Sequence, residues 1–77
     1  MTFGEQLRRW RRERFLTQKA LAEQLGVTWQ TIARWEGEKG VPYPATQRRL
    51  TEVLGVDQAD LFAAIDATEA AKGKAAA

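Results

Sequence analysis

The chain has 77 residues, the length of one small domain, with no cysteine, no histidine and a net charge of +2 at pH 7. Disulfides, zinc-finger ligand sets and the commonest general base are thereby excluded. No run approaches the roughly 20 apolar residues of a transmembrane helix, and Met-Thr-Phe-Gly-Glu at the start lacks the apolar stretch of a signal peptide. A cytoplasmic location is the expectation, with no membrane partner.

The net charge conceals an asymmetry. Residues 1–49 hold ten Lys/Arg against five Asp/Glu, and residues 50–71 hold five Asp/Glu and no Lys/Arg. The last six residues add two lysines. A basic half beside an acidic half suggests one polyanion-facing side, although the same charges also suit plain solvation of a small domain.

Five helices are predicted, and no strand pattern or repeat. Phe3, Leu7 and Trp10 give helical spacing from Phe3 to about Arg14. Thr17 caps a second helix to Leu25, which Gly26 terminates. Thr28 caps a third, to about Glu36. Gly-Glu-Lys-Gly-Val-Pro-Tyr-Pro, residues 37–44, is expected to be irregular. A fourth helix spans about Ala45 to Leu54 and stops at Gly55, and Asp57 caps a fifth to about Ile65. The domain is expected to occupy residues 1–66. Residues 67–77 form an Ala/Lys-rich tail that either extends the last helix or is disordered.

At about 100° per residue, Phe3, Leu7 and Trp10 share the inner face of helix one with Arg11 and Arg14. Arg8, Arg9 and Arg12 point away. On helix three, Ile32, Trp35 and Glu36 face inward. An inward charge is costly unless paired, so an Arg11–Glu36 ion pair is expected to tie helix one to helix three. The outer face of helix three carries Gln30 and Arg34, with Trp29 and the small Ala33 along one edge and Thr31 along the other. Arg pairs well with guanine edges and Gln with adenine edges.

The order Thr17-Gln18-x-x-Leu21-Ala22, Leu25-Gly26-Val27-Thr28, Ile32, Trp35-Glu36-Gly37, Pro44-x-x-x-x-x-Leu50 and Leu54-Gly55-Val56 resembles the lambda-repressor/Cro-like, or Xre-type, helix-turn-helix family over about residues 3–65. Arg11 also stands where that family commonly places a helix-one arginine paired with the helix-three glutamate. The resemblance implies an all-α, five-helix DNA-binding domain with helix three in the major groove and helix two across the backbone. Carried over by position, Thr28, Trp29, Gln30 and Arg34 match base-reading positions. Thr17 and Gln18 match phosphate-contacting positions at the start of helix two. Lys39, Gly40 and Tyr43 lie in the loop that often touches the opposite backbone, and Arg14 and Lys19 are added by charge. Trp29 departs from the polar residue many relatives carry. Two roles stay open for it: pressing on a thymine methyl or sugar, or packing across helix two near Gln18.

The implied function is sequence-specific binding of double-stranded DNA by a transcriptional repressor, as a homodimer on a pseudo-palindrome. Leu61, Phe62 and Ile65 either leave a side chain spare for that dimer or all enter the core. A second reading is an antitoxin or adaptor whose main partner is a protein held by acidic Glu52, Asp57, Asp60, Asp66 and Glu69. A third is a domain of a longer regulator with the tail as linker. Asp, Glu and Lys form no catalytic grouping, so neither an enzyme nor a cofactor or metal is expected.

Overall fold

Thr2 begins the fold with a capping box. Its hydroxyl accepts from the Glu5 amide at 3.5 Å, and the Glu5 carboxylate accepts from the Thr2 amide at 3.2 Å. In the computed structural model, which describes residues 1–76 and side chains through Ala70, this cap opens α1 (Phe3–Glu13). It is followed by α2 (Gln18–Leu25), α3 (Trp29–Glu36), α4 (Pro44–Leu54) and α5 (Gln58–Ala76). The principal contacts close a ring: α1 packs on α3 and α5, α3 on α2, α2 on α4, and α4 on α5.

That ring encloses one apolar core. Phe3, Leu7, Leu21, Ile32, Leu50 and Leu61 are fully buried and come from all five helices. Each such side chain contributes about 1.5–3 kcal/mol by leaving water. Phe3 also meets Trp35 edge-on, with ring centroids 6.5 Å apart at 63°, the arrangement aromatic quadrupoles favour. On α5 the inward residues Leu61, Ala64, Ile65 and Thr68 follow the helical repeat.

Several expected boundaries shift for local reasons. Helix α4 starts at Pro44 rather than Ala45, because proline suits the first helical position, where its missing N–H costs nothing. Helix α5 runs beyond Ile65 to Ala76, and Ala77 lies outside the described residues. Residue 66 therefore falls inside a helix. Beyond it, the buried Thr68 hydroxyl accepts from the Phe3 amide at 2.6 Å and donates to the Ala64 carbonyl at 3.2 Å. Of the three apolar residues in doubt on α5, Leu61 and Ile65 enter the core and Phe62 stays 45 % exposed.

Helix α1 crosses the C-terminal end of α3 at very short range. A Cβ on Gly4 would lie 2.6 Å from the Trp35 carbonyl oxygen and 2.7 Å from that of Glu36. Only glycine permits this approach, which sets how the last turn of α3 lies on α1.

Candidate nucleic-acid interface

The turn between α2 and α3 is fixed by backbone hydrogen bonds. Gly26 adopts φ 74° and ψ 29°. Its amide donates to the Glu23 carbonyl at 3.4 Å, and the Val27 amide donates to the Ala22 carbonyl at 3.0 Å. This is a Schellman ending, and its left-handed residue turns the chain sharply into α3. Leu21, Ala22, Leu25, Ile32 and Trp35 are buried beneath it, so α2 and α3 share one apolar base.

Below α2 and α3 lies the ion pair expected from the helical wheel. Arg11 Nε donates to Glu36 Oε2 at 2.7 Å, and Arg11 Nη2 donates to Oε1 at 3.1 Å. The side chains are 13 % and 6 % exposed. Arg11 Nη1 also donates to the Leu16 carbonyl at 2.9 Å. The pair thus fastens α1, the α1–α2 turn and α3 together. Gln18 joins it, its Nε2 donating to Glu36 Oε1 at 3.2 Å. One N–H of that amide is engaged, and a second remains for another acceptor.

Helix α3 turns Thr28, Trp29, Gln30 and Arg34 outward, all exposed. Gln30 and Arg34 are four residues apart and share one face. No ion pair engages Arg34 among the described residues. Ala33 beside them is small and partly buried.

Thr28 occupies the N-cap with extended backbone, but its side chain makes no capping hydrogen bond. Its hydroxyl pairs instead with that of Thr31 at 3.1 Å. The expected side-chain cap therefore holds for Thr17, which accepts from the Ala20 amide at 3.0 Å, and not for Thr28. A rotamer choice separates the two, and sequence carries no signal for it.

A depression lies at each edge of α3. The first brings together Thr17, Gln18, Lys19, Trp29, Arg11 and Arg8. Trp29 is 50 % exposed there, so its indole packs beside the start of α2 and still presents a face to solvent. The two roles left open for it are not exclusive in this geometry. Arg8 escaped notice in the sequence because a wheel shows that it leaves α1, not that α2 lies next to it. The second depression gathers Thr31, Arg34, Lys39, Gly40, Tyr43 and Thr46. Its loop is braced by Gln47 Nε2, which donates to the Pro42 carbonyl at 2.9 Å.

Arg14 joins neither depression. Its Nη1 folds back to the Trp10 carbonyl at 2.9 Å, at the end of α1. A cation is favourable beside the unfilled carbonyls of a helix terminus. The five acidic residues of the C-terminal half stand elsewhere: Glu52 on α4, Asp57 at the α4–α5 turn, and Asp60, Asp66 and Glu69 on α5, all exposed. Helix α3 packs chiefly on α1 and α2, and the depressions at its edges are lined by Arg8, Arg11 and Lys19 on one side and by Arg34 and Lys39 on the other. Among the described residues, no group of three or more acidic side chains is placed to hold a metal ion, and no helix is long and apolar enough to cross a membrane.

A buried helix pair turned on a Schellman glycine, with an exposed polar face on the second helix, defines a helix-turn-helix domain. Residues 2–64 match the profile of the helix-turn-helix domain family, and the chain belongs to that family. It is similar to two curated proteins of Bacillus subtilis (strain 168). One is the HTH-type transcriptional repressor RghR, 50 % identical over 56 residues, which are 71 % of this chain and 42 % of that one. The other is the uncharacterized HTH-type transcriptional regulator RghRB, 46 % identical over 63 residues, 80 % of this chain and 45 % of that one. The chain thus spans less than half the length of either relative. No solved structure matches it.

Proposed function

We propose that this domain binds double-stranded DNA sequence-specifically and serves transcriptional repression, with α3 in the major groove and no catalytic step. The observation that carries this reading is the exposed pair Gln30 and Arg34 on one face of α3, flanked by basic depressions on both sides. The major groove, about 12 Å wide, admits a helix, and a bidentate Arg–guanine or Gln–adenine contact contributes about 1–3 kcal/mol of discrimination. Similarity to a named repressor supports the regulatory part. The site of action is the nucleoid, in the cytoplasm.

Each remaining residue has a role in this reading. Thr17, Gln18 and Lys19 hold one phosphate strand at the start of α2, where free amides and the helix dipole favour an anion. The Thr17 hydroxyl accepts from Ala20 and keeps its own proton to donate. Arg8 adds charge to that strand. Lys39, Gly40 and Tyr43 touch the backbone across the groove. Thr28 stands beside the bases, and Trp29 lays its open face against a thymine methyl or a sugar. Arg14 acts at the end of α1 rather than on phosphate.

One domain offers one recognition helix, so a homodimer on half-sites about 34 Å apart is part of the proposal. The exposed Phe62, beside Pro44 in a mostly polar depression, offers an apolar contact for it. Selection of bound duplexes from a random pool tests the whole reading. Enrichment of a symmetric motif supports it, and no enrichment over non-specific DNA overturns it. The reading with a protein as main partner draws support from the exposed acidic residues of α4 and α5, and it predicts that the chain enriches no duplex.

A further inference from the structure

Four helices end on a residue in the left-handed region. For α2 and α4 it is Gly26 at φ 74° and Gly55 at φ 65°, and for α3 it is Glu38 at φ 62°. For α1 it is Phe15, at φ 55°. The geometry there is a full Schellman ending: the Phe15 amide donates to the Arg12 carbonyl at 3.0 Å, and the Leu16 amide to the Arg11 carbonyl at 3.1 Å. An aromatic residue is strained in this conformation, which glycine adopts freely. Nothing within the fold compensates, because Phe15 is 96 % exposed. The chain therefore holds a bulky apolar ring in water, on a strained backbone, at a position where two of its other helices use glycine.

The surroundings indicate what the ring meets. Phe15 stands two residues before Thr17, the cap of α2, and Thr17 itself lines the depression that contains Lys19, Arg8 and Trp29. Its neighbours in sequence are Arg12, Glu13 and Arg14, with Glu13 lying 3.9 Å from both Arg9 and Arg14. Arg12 is exposed and appears in no ion pair among the described residues. An exposed ring three residues from the unpaired Arg12 and two from the cap of α2 suits a nucleic-acid backbone, whose charged phosphates alternate with apolar sugar faces.

We propose that Phe15 is a DNA-contacting residue, its ring packing on a deoxyribose of the strand held by the start of α2. This rests on the DNA-binding reading above and extends it by a contact outside the recognition helix. The contact is apolar and sequence-independent. It adds affinity without altering which bases are preferred, and it releases no counterion.

The test compares Phe15→Gly, Phe15→Asn and Phe15→Tyr with the unmodified chain, by thermal unfolding and by titration of the selected duplex. Glycine and asparagine tolerate the left-handed conformation, so both variants are expected to melt higher, by about 3–5 °C. Both are expected to bind the duplex about tenfold more weakly, the scale of one aromatic contact. Base preference and the dependence of affinity on salt stay as in the unmodified chain, and Phe15→Tyr retains the affinity. Glycine and asparagine variants that bind as tightly as the unmodified chain overturn the proposal and leave DNA binding standing. A lower melting temperature in both variants overturns it too, by making the ring structural. An unmodified chain that binds no duplex overturns this proposal and the DNA reading together.

Discussion

Gln18 donates its side-chain amide to Glu36 at 3.2 Å, and so joins the first residue of α2 to the last residue of α3. Glu36 is already held by Arg11 through two hydrogen bonds. Two side chains, from α1 and α2, therefore converge on one carboxylate of α3. The outer face of α3 and the anion-favouring start of α2 are fixed relative to each other by this network, which lies beneath both.

Breaking it is expected to be costly. Removing one partner of a buried ion pair leaves the other charge without a counterion, a loss of about 3–5 kcal/mol. Arg11→Ala and Glu36→Ala should each destabilise the domain on that scale, whereas Arg11→Met with Glu36→Leu should lose much less. Urea unfolding of the two alanine singles and of the double alanine variant gives the coupling energy. A cycle with no coupling contradicts the role assigned to the pair.

Gly4→Ala sets two effects against each other. Alanine gains at most about 1 kcal/mol over glycine at Gly4, in the first turn of α1. Its Cβ, however, would press on two backbone carbonyls at 2.6 and 2.7 Å, which cannot rotate away. Overpacking of this kind costs about 1–3 kcal/mol, so the clash should win and the melting temperature should fall. A rise would show that α1 lifts from α3 freely.

The amino-terminal cap gives an acid dependence of known sign. Hydrogen bonds from the Thr2 amide and hydroxyl hold the Glu5 carboxyl below its ordinary pKa. A lowered folded-state pKa means that this stabilisation is complete above the ordinary glutamate range and is lost as pH falls through the lowered value. Glu5→Gln should therefore lower the melting temperature at neutral pH, and the difference should vanish once the carboxyl of the unmodified chain is protonated. A difference that persists unchanged in acid contradicts the assignment.

Much of this arrangement is legible in the sequence, for a simple reason. Period 3.6 places Arg11 and Glu36 on inward faces, and a buried charge demands a partner, so the pair follows from two short helices and one rule. Five helices and their glycine stops follow from the same patterning. What a wheel leaves out is distance and rotamer. It gives the direction of Gln18 but not its bond to Glu36, and the direction of Arg8 but not the nearness of α2. It places Thr28 at the cap but does not choose between an amide and the Thr31 hydroxyl. The close crossing at Gly4 depends on the angle between α1 and α3. The left-handed turn at Phe15 has no local signal, because the glycine that usually announces such a turn is missing.

On DNA, charge and readout should separate. Lys39→Ala is expected to weaken binding to every duplex alike and to reduce the slope of log affinity against log salt by about 0.9, one phosphate contact. An unchanged slope would remove Lys39 from the backbone contacts.

The central claim is that α3 reads base edges with Gln30 and Arg34. Its most direct test is the affinity of Arg34→Ala for the selected duplex and for duplexes altered one base pair at a time. Loss of affinity by about 1–3 kcal/mol, with discrimination relaxed at one base pair of the half-site, is the predicted result. An Arg34→Ala domain with the affinity and base preference of the unmodified chain would contradict it.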